Sequence, residues 1–300
     1  MSTVDLHIHS AFSSDGEFAP AELVKLATQR GLSMISITDH NSVGGVKEVV
    51  ASANIADVKM LAGIEIDCGF DELNLHVLGY GINIEDPAFA EIERNAKAEE
   101  KNSFMGAIRK LQSLGFEVTE AAVLHQSMNP IPVAEDIAEV LLQSPVHLDD
   151  ARLAPYRPGA SKSDMPNVHF YYDFCTRGKP AYVEKHWPDL RDVVRIIKDT
   201  GGIPVLAHPG ASLRVPSAQM RQTLLAILET GIEGIEVFSS YHSREETDLF
   251  LEIAQNCGQR ITCGSDFHGK HKPQILPGAI DCRNMDMAIL QSFRDLALEL

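Results

Sequence analysis

From Val4 to His9 apolar and polar residues alternate strictly: Val4, Leu6 and Ile8 on one face, Asp5, His7 and His9 on the other. This period of two predicts a strand. Short apolar runs rich in β-branched residues recur along the chain. They predict strands over Thr3–Ile8, Met34–Thr38, Lys59–Ile66, Leu73–Leu78, Ile203–Ala207, Gly234–Phe238 and Arg260–Gly264, seven in all. Helical periodicity fills most of the gaps. "APAELVKLATQRG" opens with Pro20, keeps Leu23, Leu26 and Ala27 on one face and stops at Gly31. "DLRDVVRIIKDTGG" and "REETDLFLEIAQNCG" read alike. Alternating buried strands and helices predict an α/β protein with a parallel sheet, open or closed.

One block departs from that rhythm. Residues 85–178 carry helical patterns, among them "FAEIERNAKAEEKNSFMGAIRKLQSLG" and "IPVAEDIAEVLLQS", and a Pro/Gly/Ser-rich loop, "LAPYRPGASKSDMPN". The expected organisation is therefore a sheet-based domain of residues 1–84 and 179–300, interrupted by a helical insertion, 85–178, over one mouth of the sheet.

Composition narrows the function classes. Hydrophobic residues make up 44% of the 300, as in a globular chain. There is no apolar run of the roughly 20 residues needed to span a bilayer. No basic-then-apolar leader opens the sequence, and its five cysteines are scattered without a Cys-x-x-Cys pair. These features predict a cytoplasmic protein with no disulfide framework and no membrane partner. The formal net charge is −16, which disfavours long nucleic acid as a partner. An anionic substrate would need a local reversal of sign, which bound metal ions supply.

The candidate chemistry lies where predicted strands end. His7 and His9, two apart on one strand face, can reach a single metal ion at about 2.1 Å. His40 follows the second strand, Glu65 lies in the third, His76 in the fourth, and His208 follows the fifth. The last strand ends in Asp266-x-His268, a second pair at period two. Asp15 sits in the turn after the first strand. A lone strand-end histidine is usually a packed rim residue. Six histidines with several carboxylates at six strand ends would cost several kcal/mol each to bury uncompensated, and a metal cluster compensates them together. Oxygen and imidazole donors without thiolate suit Mn²⁺ first, or Zn²⁺ or Fe²⁺.

The ordered set "DLHIHSAFSSDG", "ITDHNSVGG", "AGIEI", "LHVLGYG", "VLAHPG" and "GSDFHG" resembles the polymerase and histidinol phosphatase (PHP) family. The resemblance implies a distorted seven-stranded (β/α)7 barrel and three divalent ions. One would be held by His7, His9, Glu65 and Asp266, a second by Asp15, His40 and His268, and a third by Glu65, His76 and His208. It implies hydrolysis of a phosphate monoester by attack of a metal-bound hydroxide, since a metal-bound water has a pKa near about 7. Asp266 is the candidate to take a proton from that water and His242 to donate one to the leaving oxygen. Asp39, beside His40, is expected to orient a ligand rather than to be one.

"RGKPAYV" is similar to the branch of the family containing small-nucleotide phosphatases, which act on 3',5'-bisphosphonucleotides, and relatives that trim RNA 5' ends. This implies a small phosphorylated substrate, a 3',5'-bisphosphonucleotide or an AMP-like nucleotide, with Arg177, Lys179, Lys101, Asn102 and Arg244 as candidate contacts. The sequence departs from that branch at Lys97 and Lys101, where arginines are usual, and at "NPIPVAEDIAEVLL", where Arg-Pro-His or Thr-His is expected. A 5'–3' exoribonuclease acting on short RNA and a histidinol-phosphate-type phosphatase are the alternatives within the family. A non-catalytic metal-binding module is the alternative outside catalysis.

Arg177 yields a direct test. A guanidinium can hold a remote phosphate bidentately, a contact worth about 2–4 kcal/mol. Arg177→Ala is expected to lower kcat/KM for a doubly phosphorylated nucleotide by roughly 30- to 1000-fold. It should leave hydrolysis of a simple aryl phosphate nearly unchanged. Equal losses on both substrates would contradict the assignment.

Overall fold

The computed structural model describes residues 2–52, 58–127, 131–283, 285–293 and 296–298. Asn129 and Pro130, the start of the atypical "NPIP" segment, lie outside the described residues. The described chain forms two compact units. The first comprises Met1–Glu93, Trp187–Gly269 and Gln274–Leu300, and the second Arg94–His186 with Lys270–Pro273. Sequence periodicity placed the boundaries at 85 and 178; the first of the observed boundaries falls inside one continuous helix, Pro87–Ser113.

The first unit holds nine strands among the described residues, in two sheets. They are β1 (Val4–Ile8), β2 (Met34–Ile37), β3 (Lys59–Leu61), β4 (Gly63–Phe70), β5 (Leu73–Tyr80), β6 (Ile203–Leu206), β7 (Gly234–Ser239), β8 (Arg260–Gly264) and β9 (Ala297–Leu298). One sheet runs β1-β2-β3-β9, the other β4-β5-β6-β7-β8. Isolated bridges connect them: Ile8 with Phe267, and His40 with Glu65. The fold is mixed α/β, and among the described residues the strands form two sheets linked by isolated bridges.

Two features depart from the sequence expectation, each for a local reason. The predicted strand Lys59–Ile66 is two strands, which pair in different sheets. The break falls at Ala62-Gly63, where the chain passes close to β2. A Cβ at Gly63 would lie 2.3 Å from Ser36 Oγ and 2.8 Å from Thr38 Cγ2. The sheet is also not wholly parallel: β4 pairs antiparallel with β5, and β5 with β6. Only Asp71 and Glu72 separate Phe70 from its partner Leu73, and so short a connection permits only antiparallel pairing. Asp71 takes the left-handed conformation the turn needs, φ 51°. Gly63→Ala is expected to destabilise the protein by about 1–3 kcal/mol through overpacking against β2. Urea unfolding checks this, and an unchanged midpoint would contradict the close approach.

Helices bury the outer faces of these sheets. Leu190–Asp199 shows how: Asp189 caps it, accepting from the Arg191 N–H at 2.8 Å. Its buried residues Leu190, Val193, Val194 and Ile197 recur at helical spacing and join the main apolar core with Val77, Leu206 and Ile235. The second unit has a core of its own, built from Phe104, Ile108, Leu111, Phe116, Ile137, Leu141 and Phe170. Among the described residues, no helix is long and apolar enough to cross a membrane.

Candidate metal centre

The first unit brings the carboxyl ends of β1, β2, β6 and β8 and residues within β4 and β5 to one place. His7 lies within β1 and His9 just after it. His40 follows β2, Glu65 lies in β4, His76 in β5, His208 follows β6, and Asp266 and His268 follow β8. Asp15 comes from the turn after β1. Three of the strand ends turn sharply on non-glycine residues in the left-handed region: Asn41 (φ 55°), His208 (φ 23°) and Asp266 (φ 57°). Such strain persists only where surrounding structure imposes it, and it concentrates at functional sites.

Glu65 is the hub. It is fully buried, and its two oxygens face five imidazoles. Oε2 lies 3.1 Å from His7 Nε2, 3.2 Å from His9 Nε2 and 3.2 Å from His40 Nδ1. Oε1 lies 3.0 Å from both His76 Nδ1 and His208 Nε2. Asp266 Oδ1 lies 3.2 Å from His7 Nε2 and 3.0 Å from His9 Nε2. Asp15 Oδ2 is 3.1 Å from His268 Nε2. All nine ligand candidates read from the sequence therefore converge in one cluster.

The far side of several rings fixes which nitrogen faces inward. His7 Nδ1 meets Glu236 Oε1 at 3.0 Å, and a carboxylate only accepts, so that nitrogen donates. His268 Nδ1 donates to the Asp266 carbonyl at 2.8 Å. Ser13 Oγ accepts from the His40 N–H and lies 3.1 Å from His9 Nδ1. The inward nitrogens, His7 Nε2 and His9 Nε2, stand 3.0 Å apart. His40 Nδ1, His268 Nε2, Glu65 Oε2 and Asp266 Oδ1 are buried with no hydrogen bond of good geometry. Acceptors crowded this closely repel unless a cation sits among them, so the donor set fits divalent metal ions.

Electrostatics agree with the geometry. Burial works to lower the His7 pKa, but Glu65, Glu236 and Asp266 carry it well above the usual range. Burial likewise opposes protonation of His76, and Glu65 and Asp67 overcome it. Burial pushes Glu65 up, yet His7, His40 and His76 hold its carboxyl well below the usual carboxylate range. The protein attracts positive charge to this point, whether carried by protons or by metal.

The groups that could each hold one ion are His9, Asp15, His40 and His268; His7, Glu65, His208 and Asp266; and His40, Asp67 and His76. These groups overlap the family-based ones: the same distances bring His7, His9, Glu65 and Asp266 together, and Glu65 with His76 and His208, while Asp67 is an added candidate. Asp67 was missed by sequence reasoning; its signal was the spacing "EID", which repeats the period-two logic of His7-x-His9. It meets His76 Nε2 at 3.0 Å and accepts from Asn41 Nδ2 at 2.5 Å. Glu236 was missed as well, although a carboxylate inside the apolar run "GIEVF" is the anomaly that marks it.

Several predicted roles look different in place. Asp39 accepts from the Ser10 N–H at 2.6 Å and the Ser10 hydroxyl at 2.7 Å, fixing the loop after His9. Burial pushes its pKa up to about 6. His242 has both ring nitrogens engaged: Nδ1 donates to the Val237 carbonyl at 2.8 Å and Nε2 accepts from the Gly210 N–H at 3.1 Å. Burial lowers its pKa, and its ring braces the turn after His208. Its neighbour Tyr241 points to the centre instead, donating to Asp266 Oδ2 at 2.8 Å. Arg244, exposed, begins the helix Arg244–Asn256. Lys101, Asn102, Arg177 and Lys179 belong to the second unit and are exposed; Arg177 lies 3.7 Å from Glu184 Oε1.

Comparison with known proteins gives the cluster a context. The sequence profile of the PHP domain family matches residues 5–143. The chain is 31% identical over 270 residues to the 3',5'-nucleoside bisphosphate phosphatase of Chromobacterium violaceum, covering 89% of this chain and 88% of that one. It is 25% identical to a 5'-3' exoribonuclease of Haemophilus influenzae, covering 88% and 89%. A solved structure of an amidohydrolase from Chromobacterium violaceum, with bound sulfate and no metal, superposes with a TM-score of 0.81 at 25% identity, covering 99% of this chain and 98% of that one.

Proposed function

Because the chain belongs to the PHP family and is a metal-dependent phosphoesterase, we propose that it removes the phosphate of a small phosphorylated molecule, a 3',5'-bisphosphonucleotide or an AMP-like nucleotide, with three Mn²⁺ ions in its centre. The similarity to a nucleoside bisphosphate phosphatase over most of both chains supports the substrate class. The observation that carries the reading is Glu65, one buried carboxylate facing five imidazoles. Shared cations would account for so many donor atoms aimed at one another.

His7, Glu65, His208 and Asp266 would hold one ion, His9, Asp15, His40 and His268 another, and His40, Asp67 and His76 the third. When bound, such ions acidify water and neutralise the charge of a phosphate ester. The chain's own residues do the rest. Glu236 and the Asp266 carbonyl hold a proton on the outer nitrogens of His7 and His268, so that the inward nitrogens are the ones offered to a cation. Asp266, with Oδ2 held by the Tyr241 hydroxyl, is placed to take the proton of the attacking water. His242 keeps the His208 turn in position.

A second reading, exonucleolytic attack on short RNA, is favoured by the similarity to a 5'-3' exoribonuclease. The charge of −16 argues against a polyanion. A phosphate-release screen in Mn²⁺ separates them, using bisphosphonucleotides, mononucleotides, sugar phosphates and 5'-phosphorylated oligoribonucleotides. The expected result is the highest kcat/KM on a bisphosphonucleotide. Faster turnover of the oligoribonucleotides would overturn it.

A further inference from the structure

We infer that Glu236 is a positioning residue: one buried carboxylate sets the ligand state of His7 and holds the strained turn that carries His208. This rests on the metal-dependent reading above and adds a residue to it.

Glu236 lies in β7 between Ile235 and Val237 and is fully buried. A strand interior is a costly place for a carboxylate, and burial is tolerated only with partners. Glu236 has one for each oxygen. Oε1 meets His7 Nδ1 at 3.0 Å, and Oε2 accepts from the His208 N–H at 2.8 Å. The first contact places a proton on His7 Nδ1 and makes Nε2 the nitrogen offered to a cation, facing Glu65 and Asp266. The second holds the backbone of a residue at φ 23°, ψ 62°, whose Nε2 then meets Glu65 Oε1 at 3.0 Å. Ligands from β1 and from the end of β6 are thus tied to each other through β7.

The fold reserves space for this tie. On the neighbouring strand β8, a Cβ at Gly264 would lie 2.2 Å from Glu236 Oε1 and 2.1 Å from the His7 Cβ. Only glycine lets the carboxylate and the imidazole meet there.

Glutamine has nearly the same shape but one acceptor oxygen and one amide donor. If its oxygen keeps the His208 N–H, its NH₂ faces His7 Nδ1. The His7 proton must then move to Nε2, into the centre, where it opposes a metal. Loss of such a supporting carboxylate typically weakens metal binding 10- to 100-fold.

The test measures Mn²⁺ affinity by chelator competition for wild type and Glu236→Gln, with denaturant unfolding as a check on folding. The expected result is a folded variant that binds Mn²⁺ 10- to 100-fold more weakly. Affinity within twofold of wild type would overturn the inference while leaving the metal-dependent reading intact. Wild type that binds no divalent ion would overturn both. If the variant does not fold, ¹⁵N-histidine spectra of zinc-loaded wild type decide: a proton on His7 Nδ1 supports the inference, and a proton on Nε2 overturns it.

Discussion

Asp266→Asn should lower kcat/KM for phosphate monoesters by about three orders of magnitude, about 4 kcal/mol of transition-state stabilisation, while the protein still folds. Asp266 sits at the end of β8, with Oδ1 about equidistant from His7 Nε2 and His9 Nε2 and hydrogen-bonded to neither. Asparagine keeps the size and the Tyr241 partner but loses the charge that would ligate a cation and accept a proton. It also tolerates the left-handed backbone of this position, φ 57°, which alanine would strain. The fold should survive because the lost charge comes from a crowded anionic cluster that includes Glu65 and Glu236. Steady-state kinetics in Mn²⁺ and a thermal melt check the two halves. Activity within tenfold of wild type would show that Asp266 does not serve the chemistry.

Metal stripping should lower the melting temperature markedly, and the rise restored by Mn²⁺ should be larger at pH 8.5 than at pH 6. The sign follows from the ligands. His7 and His76 have folded pKa values well above 6.5. In metal-free protein their stabilising contribution is fully present below about 6.5, the unfolded value, and is lost as pH rises through the folded values. Glu65 is held well below 4.5, so its contribution is present at both pH values and fades only in acid. At pH 6 protons therefore stand in for metal among the carboxylates. As pH rises toward the raised folded values these protons are held less firmly, and a cation both binds more readily and replaces more. Differential scanning fluorimetry at the two pH values checks this. An equal Mn²⁺-induced rise, or a larger one at pH 6, would contradict the coupling of these histidines to the metal.

Much of the site was legible because its ligands lie at strand ends, where an alternating pattern breaks off on a polar residue. His7-x-His9 and Asp266-x-His268 announce themselves by period two, and the nine ligand candidates meet as a set. The pairing of ligands was not legible in the periodicity alone. It depends on which strand ends lie beside each other, and the sequence pattern says nothing of the bridge between His40 and Glu65 or of the hairpin at Asp71-Glu72. Glu236 was hidden for a different reason. It sits in the middle of a strand, where a single carboxylate reads as an irregularity in an apolar run until its two partners, from β1 and the β6 turn, are in place. The contacts of His242 were hidden because a loop histidine beside a mouth gives no sign that Val237 and Gly210 occupy its nitrogens. The two-sheet arrangement escaped periodicity because the break at Ala62-Gly63 lies within one unbroken apolar run. Only the packing of Gly63 against Ser36 and Thr38 separates β3 from β4.

On the proposed reading, these histidines and carboxylates form one centre for several divalent ions. Elemental analysis of wild-type protein saturated with Mn²⁺ and freed of excess tests it most directly. Close to three ions per chain are expected, falling measurably in Asp266→Asn; one ion or fewer per wild-type chain would rule out a multinuclear centre.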